Sequence, residues 1–265
     1  MSLTGNLATV GRTTITVARE EQVSVAAASL GYHAFNTLVP LLLFLFIGLS
    51  LLGALGEAAA AAEALIGVPT EQAESALQSL TQNSQGRLRA AVLAFLILAW
   101  SAVRTFHTTN AAFERVYGTR EFGSLEHLVD VGLVSVTVPL ALTLVAVVGV
   151  AVAFAVDGLL WRLLSPLLLF AALTMAFLPL YYLLPDPSVG LGEVLPGAVF
   201  AALAWTVSGL FFRFYASISQ SVHLYGAVGG LLLLLTWLYL GGLAILVGVV
   251  LNAVLAGRVD ADGEF

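Results

Sequence analysis

The residues of this chain that could bind a charged group stand in stretches that are otherwise apolar. Arg104, His107, Asn110 and Glu114 follow one another at spacings of three, three and four residues. In a helix these spacings place the four side chains on one face about 120° wide. A guanidinium in an apolar helix must reach the surface, pair with a carboxylate or a lipid headgroup, or line a watery cavity. The spacing therefore predicts a polar face, used for anion binding or only for reaching the surface.

A second polar group lies near the N-terminus, where His33, Asn36 and Thr37 share one helical face with Pro40. These side chains either form part of a binding site or hydrogen-bond to neighbouring helices and to the carbonyl that Pro40 frees. The same two interpretations apply to Asn252, in the last apolar run, as a ligand or as a link between helices. The candidate substrate-binding residues are therefore Arg104, His107, Asn110, His33, Asn36, Thr37 and Asn252.

The sequence offers little for catalysis or for metal binding. It contains no cysteine and no HExxH pattern to complete a metal site around His107. Its carboxylates are scattered in predicted loops, which does not suit a ribonuclease, and a nucleophile elbow, a P-loop and a dinucleotide fingerprint are missing. We expect no enzyme activity, no cofactor and no metal. The net charge of −6, with all 10 basic residues arginine and none clustered, argues against a nucleic-acid partner.

Composition determines which elements must position these residues. Hydrophobic residues make up 60% of the chain and charged residues only 10%, against about a quarter charged in soluble domains. The run from Tyr225 to Asn252 contains no charged residue and exceeds the roughly 20 residues that cross a bilayer. Its glycines, which we expect to let neighbouring helices approach closely, are Gly226, Gly230, Gly241, Gly242 and Gly248. The composition predicts a multi-pass protein of the cell membrane.

The apolar runs predict an all-α protein with six transmembrane helices in a single domain, 24–257. The spans are about 25–53, 88–112, 131–156, 163–184, 194–215 and 226–256. Residues 1–23 form a cytoplasmic or interfacial segment, 54–87 an external loop and 258–265 a cytoplasmic tail. Six arginines fall on the inside and four on the outside when both termini are cytoplasmic, which is the orientation that the arginine bias of cytoplasmic loops favours.

Several stretches resemble the YihY/BrkB family of integral membrane proteins. The C-terminal stretch has Tyr225-Gly226, a leucine-rich run, Trp237-Leu238-Tyr239-Leu240 and then Gly248-x-x-x-Asn252. Near the N-terminus, Thr37-Leu38-Val39-Pro40-Leu41 resembles a second motif, in which the family more often has serine in place of Thr37. Further matches are Arg115-Val116-Tyr117-Gly118, Leu195-Pro196-Gly197-Ala198 and Ala204-Trp205. The resemblance implies cytoplasmic termini, whereas the family's names, a virulence factor and an older ribonuclease BN, state no molecular activity.

Two functional hypotheses follow. In the first, the protein is a transporter or flippase-like protein for an amphipathic or anionic substrate such as a lipid, and Arg104, His107 and Asn110 face His33 and Asn36 across a polar cleft. In the second, it is a scaffold or envelope-integrity protein whose polar groups only hold helices together. The expected partners are membrane lipids, an anionic amphipathic substrate and a second copy of the chain in a homo-oligomer.

Overall fold

The structure is a computed structural model that describes residues 3–51, 84–117, 159–185, 189–218 and 220–259. Over these residues it is helical and contains no strand, which confirms the all-α class. The described helices, numbered here in chain order, are α1 Leu3–Glu20, α2 Val23–Leu51, α3 Ser84–Tyr117, α4 Leu159–Leu183, α5 Leu191–Ile218 and α6 Gln220–Leu255.

Four of the described helices are long and apolar enough to cross a bilayer, in agreement with four of the predicted spans. The candidate spans, by length and composition, are Ala91–Tyr117, Leu164–Leu183, Leu191–Phe212 and Gly229–Leu255. The predicted first span coincides with α2, a helix of 29 residues. The predicted span 131–156 lies outside the described residues, so the count of six remains a prediction. Helix α3 begins at Ser84, four residues before the predicted start of the second span at residue 88.

The N-terminal segment is a helix that packs on the bundle rather than an extended tail. Val17 of α1 is 2% exposed and belongs to the hydrophobic core, whereas Arg12 and Arg19 are exposed. The chain then turns at Gln22, whose φ of 50° is in the left-handed region and whose carbonyl accepts from the N–H groups of Val25 and Ala26. This tight turn brings α2 back alongside α6, because α1 and α2 both contact it.

Helix α6 is the element around which the described bundle packs, since α1, α2, α3 and α5 all contact it. A Cβ at Gly31 of α2 would lie 2.9 Å from the backbone nitrogen of Tyr239, and one at Gly242 would lie 3.1 Å from the carbonyl oxygen of Ala27. A Cβ at Gly248 would meet the Tyr181 hydroxyl and lie 2.8 Å from the carbonyl oxygen of Gly197. Only glycine allows these backbones to approach so closely.

The prediction for the α6 glycines is confirmed in part. Gly241, like Gly242 and Gly248, is a contact position, because an added Cβ there would lie 2.7 Å from the Trp205 ring. The prediction is wrong for Gly230, where an added Cβ would meet nothing within 4 Å. Gly226 lies among residues whose side-chain surroundings are not described. The contact glycines found among the described residues, Gly241, Gly242 and Gly248, lie in the second half of α6.

Helices α5 and α6 run antiparallel. Gly197 of α5 contacts Asn252 of α6, whereas Trp205, further along α5, contacts Gly241, which comes earlier in α6. The two helices therefore run in opposite directions. Val17, Val116, Leu184, Val194 and Val259 belong to one core cluster. The end of α1, the beginning of α5 and the ends of α3, α4 and α6 thus lie at one end of the bundle, called here the tail end. Which side of the membrane the tail end faces remains a prediction.

Candidate functional site

The contact between α2 and α3 is tied by a triangle of polar atoms. The hydroxyl oxygens of Thr37 and Ser101 are 2.7 Å apart, and each lies 2.9 Å from the backbone carbonyl oxygen of His33. The two hydroxyls supply only two protons, so only two of these three contacts are full hydrogen bonds at any one time. The carbonyl and one of the hydroxyl oxygens are the acceptors. Thr37 is thereby a helix–helix contact residue. Ser101, three residues before Arg104, was not among the sequence-predicted residues.

His33 and Asn36 are half-buried on α2, within one turn of each other. The ring of His33 makes an edge contact with the ring of Tyr32, with centroids 5.4 Å apart. Ser101 reaches the His33 carbonyl, and Arg104 stands one turn further along α3 from this contact. The structure therefore brings together the predicted residues His33, Thr37 and Arg104.

Arg104 faces outwards from α3 instead of into the described bundle. Its side chain is exposed, and its guanidinium carbon lies 4.9 Å from the centroid of the Trp100 ring, a cation–π contact. Trp100 is 66% exposed and the adjacent Val103 54% exposed. Arg104 stands about 20 Å along the helix axis from Tyr117, since each residue advances the helix by about 1.5 Å. Arg104 thus lies near the middle of the candidate span Ala91–Tyr117, beside exposed apolar side chains.

The predicted polar face of α3 is divided between the surface and the core. His107 is exposed, like Arg104, whereas Asn110 is 1% exposed. The Asn110 amide nitrogen donates to a Glu114 carboxylate oxygen at 2.5 Å, and its own carbonyl oxygen is buried without a partner among the described residues. A face about 120° wide straddles the boundary between the lipid-facing and the packed sides of a helix. Glu114, the carboxylate that the sequence places on this face, binds Asn110.

Asn252 joins α6 to α5 and is fully buried. Its carbonyl oxygen accepts from the Gly197 N–H at 2.6 Å, and its amide nitrogen donates to the Val194 carbonyl at 3.1 Å. Tyr239, which lies against Gly31 of α2, is thirteen residues before Asn252, or about 20 Å along α6. The structure therefore does not bring Asn252 together with the polar residues of α2 and α3.

A charged cluster at the tail end was missed by sequence reasoning. Arg258 forms a bidentate ion pair with Glu193, with its Nε 2.5 Å and its Nη2 3.1 Å from the two carboxylate oxygens. The hydrogen bond to Glu193 raises the pKa of Arg258 above its usual value. The guanidinium also lies 6.0 Å from the Tyr117 ring centroid. This pair ties the chain that follows α6 to the first turn of α5, a contact between residues 65 positions apart.

Tyr181 of α4 adds a further interhelical contact, because its hydroxyl donates to the Ile245 carbonyl of α6 at 2.7 Å. The Trp205 indole N–H of α5 donates to the Gly241 carbonyl at 3.0 Å. No group of three or more His, Cys, Asp or Glu residues able to hold one metal ion occurs within the described ranges. Interhelical hydrogen bonds, rather than clustered titratable side chains, therefore account for most of the polar contacts between the described helices.

The family relationship follows from comparison with known proteins. The family described as Virulence factor BrkB matches residues 14–264. The chain belongs to this family. A UPF0761 membrane protein of Pseudoalteromonas atlantica is 25% identical over 249 residues, which cover 89% of this chain and 82% of that protein. A UPF0761 membrane protein of Xanthomonas campestris is 26% identical over 246 residues, covering 86% and 56%. Family membership and the apolar helices together establish a multi-pass membrane protein.

A more similar but shorter match is to the putative ribonuclease-like protein YfkH of Bacillus subtilis. It is 37% identical over 101 residues, which cover 38% of this chain and 35% of that protein. The chain thus spans about a third of the length of this relative in the match. No solved structure matches the chain.

Proposed function

We propose that the protein is a transporter or flippase-like protein for an amphipathic, anionic substrate, with a phospholipid as the first substrate to test. The observation that carries the proposal is the position of Arg104. It is an exposed arginine near the middle of a candidate span, beside exposed apolar side chains, with an aromatic ring beneath it and no acidic partner among the described residues. Such a charge is costly in lipid unless an anion meets it or water reaches it.

Arginine also suits the chemistry of such a substrate. Its planar guanidinium can bind a phosphate or carboxylate through two parallel hydrogen bonds, whereas lysine offers a single point charge. The exposed His107, one turn further along α3, adds a second polar group on the same face. On α2, the His33 carbonyl meets Ser101 of α3, and Asn36 stands about one turn further along α2. In the proposal, this surface receives the headgroup while the acyl chains remain in the surrounding hydrocarbon.

The proposal treats the chain as a membrane protein without enzyme activity, without a cofactor and without a nucleic-acid partner. The word ribonuclease in the name of the Bacillus subtilis relative concerns that protein. In this chain, Glu114 accepts a hydrogen bond from Asn110, and Glu193 forms an ion pair with Arg258. These two carboxylates thus make contacts that support the helices, which is why nuclease chemistry is not part of the proposal.

A second candidate function is favoured by the interhelical hydrogen bonds. Thr37, Asn252, Tyr181 and Trp205 all use their polar atoms to join helices. A protein whose polar residues serve only this purpose would be a membrane scaffold or an envelope-integrity protein. Under this alternative, Arg104 contributes to stability through Trp100 and the bilayer surface, and no substrate moves.

The test compares purified wild type, Arg104→Ala and Arg104→Lys, with Arg89→Ala as the control. Arg89 is an exposed arginine on the same helix, so its removal matches the change in net charge. We expect phosphatidylglycerol to raise the thermal unfolding temperature of wild type and Arg89→Ala more than phosphatidylcholine does. Arg104→Ala should lose this difference, and Arg104→Lys should keep part of it. A loss of affinity of about tenfold or more corresponds to one charge-assisted hydrogen bond.

Transport is measured separately, in proteoliposomes that contain a headgroup-labelled fluorescent phosphatidylglycerol whose outer-leaflet copies are bleached by dithionite. We expect wild type and Arg89→Ala to expose the protected half of the label faster than protein-free vesicles, and Arg104→Ala to slow this exposure. Equal lipid stabilisation in wild type and Arg104→Ala, together with protein-free rates for all variants, would favour the scaffold.

A further inference from the structure

The tail end of the bundle is closed in part by the four residues that follow α6, 256–259, called here the strap. The chain turns at Gly257, whose φ of 65° lies in the left-handed region that favours glycine. The N–H groups of Gly257 and Arg258 donate to the carbonyls of Val254 and Ala253, at 3.1 and 2.9 Å respectively. These bonds fold the strap back against the end of α6.

The strap makes one apolar and one ionic contact with elements other than α6. Val259 is 6% exposed and belongs to the same core cluster as Val194, near the start of α5. Arg258 forms the ion pair with Glu193, in the first turn of α5, and its guanidinium lies 6.0 Å from the ring centroid of Tyr117, at the end of α3. The strap therefore joins the ends of three helices.

Water reaches the ionic contact, whereas it does not reach the hydrogen bonds that join α5 and α6 one to two turns deeper. The side chains of Arg258 and Glu193 are 32% and 17% exposed. Asn252, six residues before Arg258, is fully buried, and it bonds to backbone atoms of Gly197 and Val194. Water and salt ions weaken an ion pair that they can reach, and they act much less on a buried contact. The ion pair can therefore break while Asn252 still joins the two helices.

We infer that the strap is a releasable closure of the tail end. In the closed state, which the structure describes, the pair between Arg258 and Glu193 keeps Val259 in the core. In the open state both charges are hydrated, the strap leaves α5 and Val259 meets water, while Asn252 keeps α5 and α6 together. High ionic strength favours the open state because it weakens the pair. This inference concerns the tail end and does not depend on the function proposed for Arg104.

The test measures how fast a thiol in the strap reacts with a water-soluble maleimide. The chain contains no cysteine, so Val259→Cys places a single thiol in the full chain. In detergent at fixed pH, this thiol should react about fivefold faster when Glu193→Gln or Arg258→Gln removes one charge of the pair. The exchanged pair, Glu193→Arg with Arg258→Glu, should bring the rate back towards that of Val259→Cys alone, because opposite charges face each other again.

A second buried thiol separates release of the strap from unfolding of the bundle. Ala201 is fully buried on α5, seven residues beyond Val194, and Ala201→Cys is the control. Its reaction rate should not change when Glu193→Gln is added. Sodium chloride at about 0.5 M, where the screening length is about 4 Å, should speed the reaction of Val259→Cys. The same salt should have no effect on Val259→Cys combined with Glu193→Gln, because that protein has no ion pair to weaken.

Three results would overturn the inference. Equal rates for Val259→Cys with and without Glu193→Gln would show that the pair does not hold the strap. Parallel increases at Val259→Cys and Ala201→Cys would show that loss of the pair unfolds the bundle instead of releasing the strap. Failure of both Glu193→Gln and Arg258→Gln to yield monodisperse protein would make the pair a requirement for folding, which a releasable closure is not.

Discussion

Helices α3 and α6 are both apolar enough to span a bilayer, but they meet different surroundings. In the most apolar window of α6, 50% of the residues are buried in the protein, whereas in α3 only 12% are. Helix α6 is lined by glycines and has its amide side chain Asn252 bonded to α5. Helix α3 presents Trp100 and Arg104 outwards. Hydropathy thus identifies a span, but it does not distinguish a helix at the centre of a bundle from one at its edge.

The difference also separates two uses of polar residues in a membrane. On α6, polar groups satisfy backbone atoms of the neighbouring helix, and such contacts replace the hydrophobic driving force that is absent between helices in lipid. On α3, the charge remains at the surface, where only lipid, water or a ligand can meet it. The largest mutational effects on folding should therefore come from α6, and the largest effects on ligand binding from α3.

The sharpest test of this contrast compares two glycines of α6. Gly248→Leu should prevent folding or cost at least about 3 kcal/mol, because even its Cβ would meet the Tyr181 hydroxyl and the Gly197 carbonyl. Gly230→Leu is the matched control, since a Cβ there meets nothing within 4 Å. The measurement is the yield of monodisperse protein and its thermal unfolding temperature. Similar losses for both variants would contradict the central position of the second half of α6.

A smaller effect is expected from Asn252→Ala. The change leaves the Gly197 N–H and the Val194 carbonyl without this buried partner, and it should cost about 2–3 kcal/mol. Thr206→Val is the control. Thr206, on α5, is buried like Asn252, but its hydroxyl donates to the Ala202 carbonyl of its own helix. Unfolding in mixed detergent micelles gives the two free energies. An Asn252→Ala protein as stable as Thr206→Val would show that this contact contributes little.

The smallest effect on stability is expected at the contact between α2 and α3. Ser101→Ala should cost about 1 kcal/mol or less, since the Thr37 hydroxyl keeps the His33 carbonyl as an acceptor. Adding Thr37→Val should give a total above the sum of the single changes, because each single variant keeps one hydroxyl on the His33 carbonyl and the double variant keeps none. Thr236→Val, an exposed threonine bonded within its own helix, is the control. A cost at Ser101 equal to that at Asn252 would remove the distinction between the two helices.

The sequence alone determined the class of protein and much of the helix pattern. Long uncharged runs have no stable place in water, so composition was sufficient for a multi-pass membrane protein. Helical periodicity also predicted that α3 continues beyond Arg104, where the apolar run is interrupted. In the structure this helix extends to Tyr117. These features are local, because they depend only on residues within a few turns of one another.

The arrangement of the polar residues was decided by the tertiary structure. The sequence placed Arg104, His107 and Asn110 on one helical face, but the position of α3 in the bundle left the first two exposed and buried the third. The partners of Asn252 and Arg258 are 55 and 65 residues away along the chain, beyond the reach of any local pattern. A side chain's role in a membrane depends on whether lipid or another helix faces it, and only the packing of helices distant in sequence determines that.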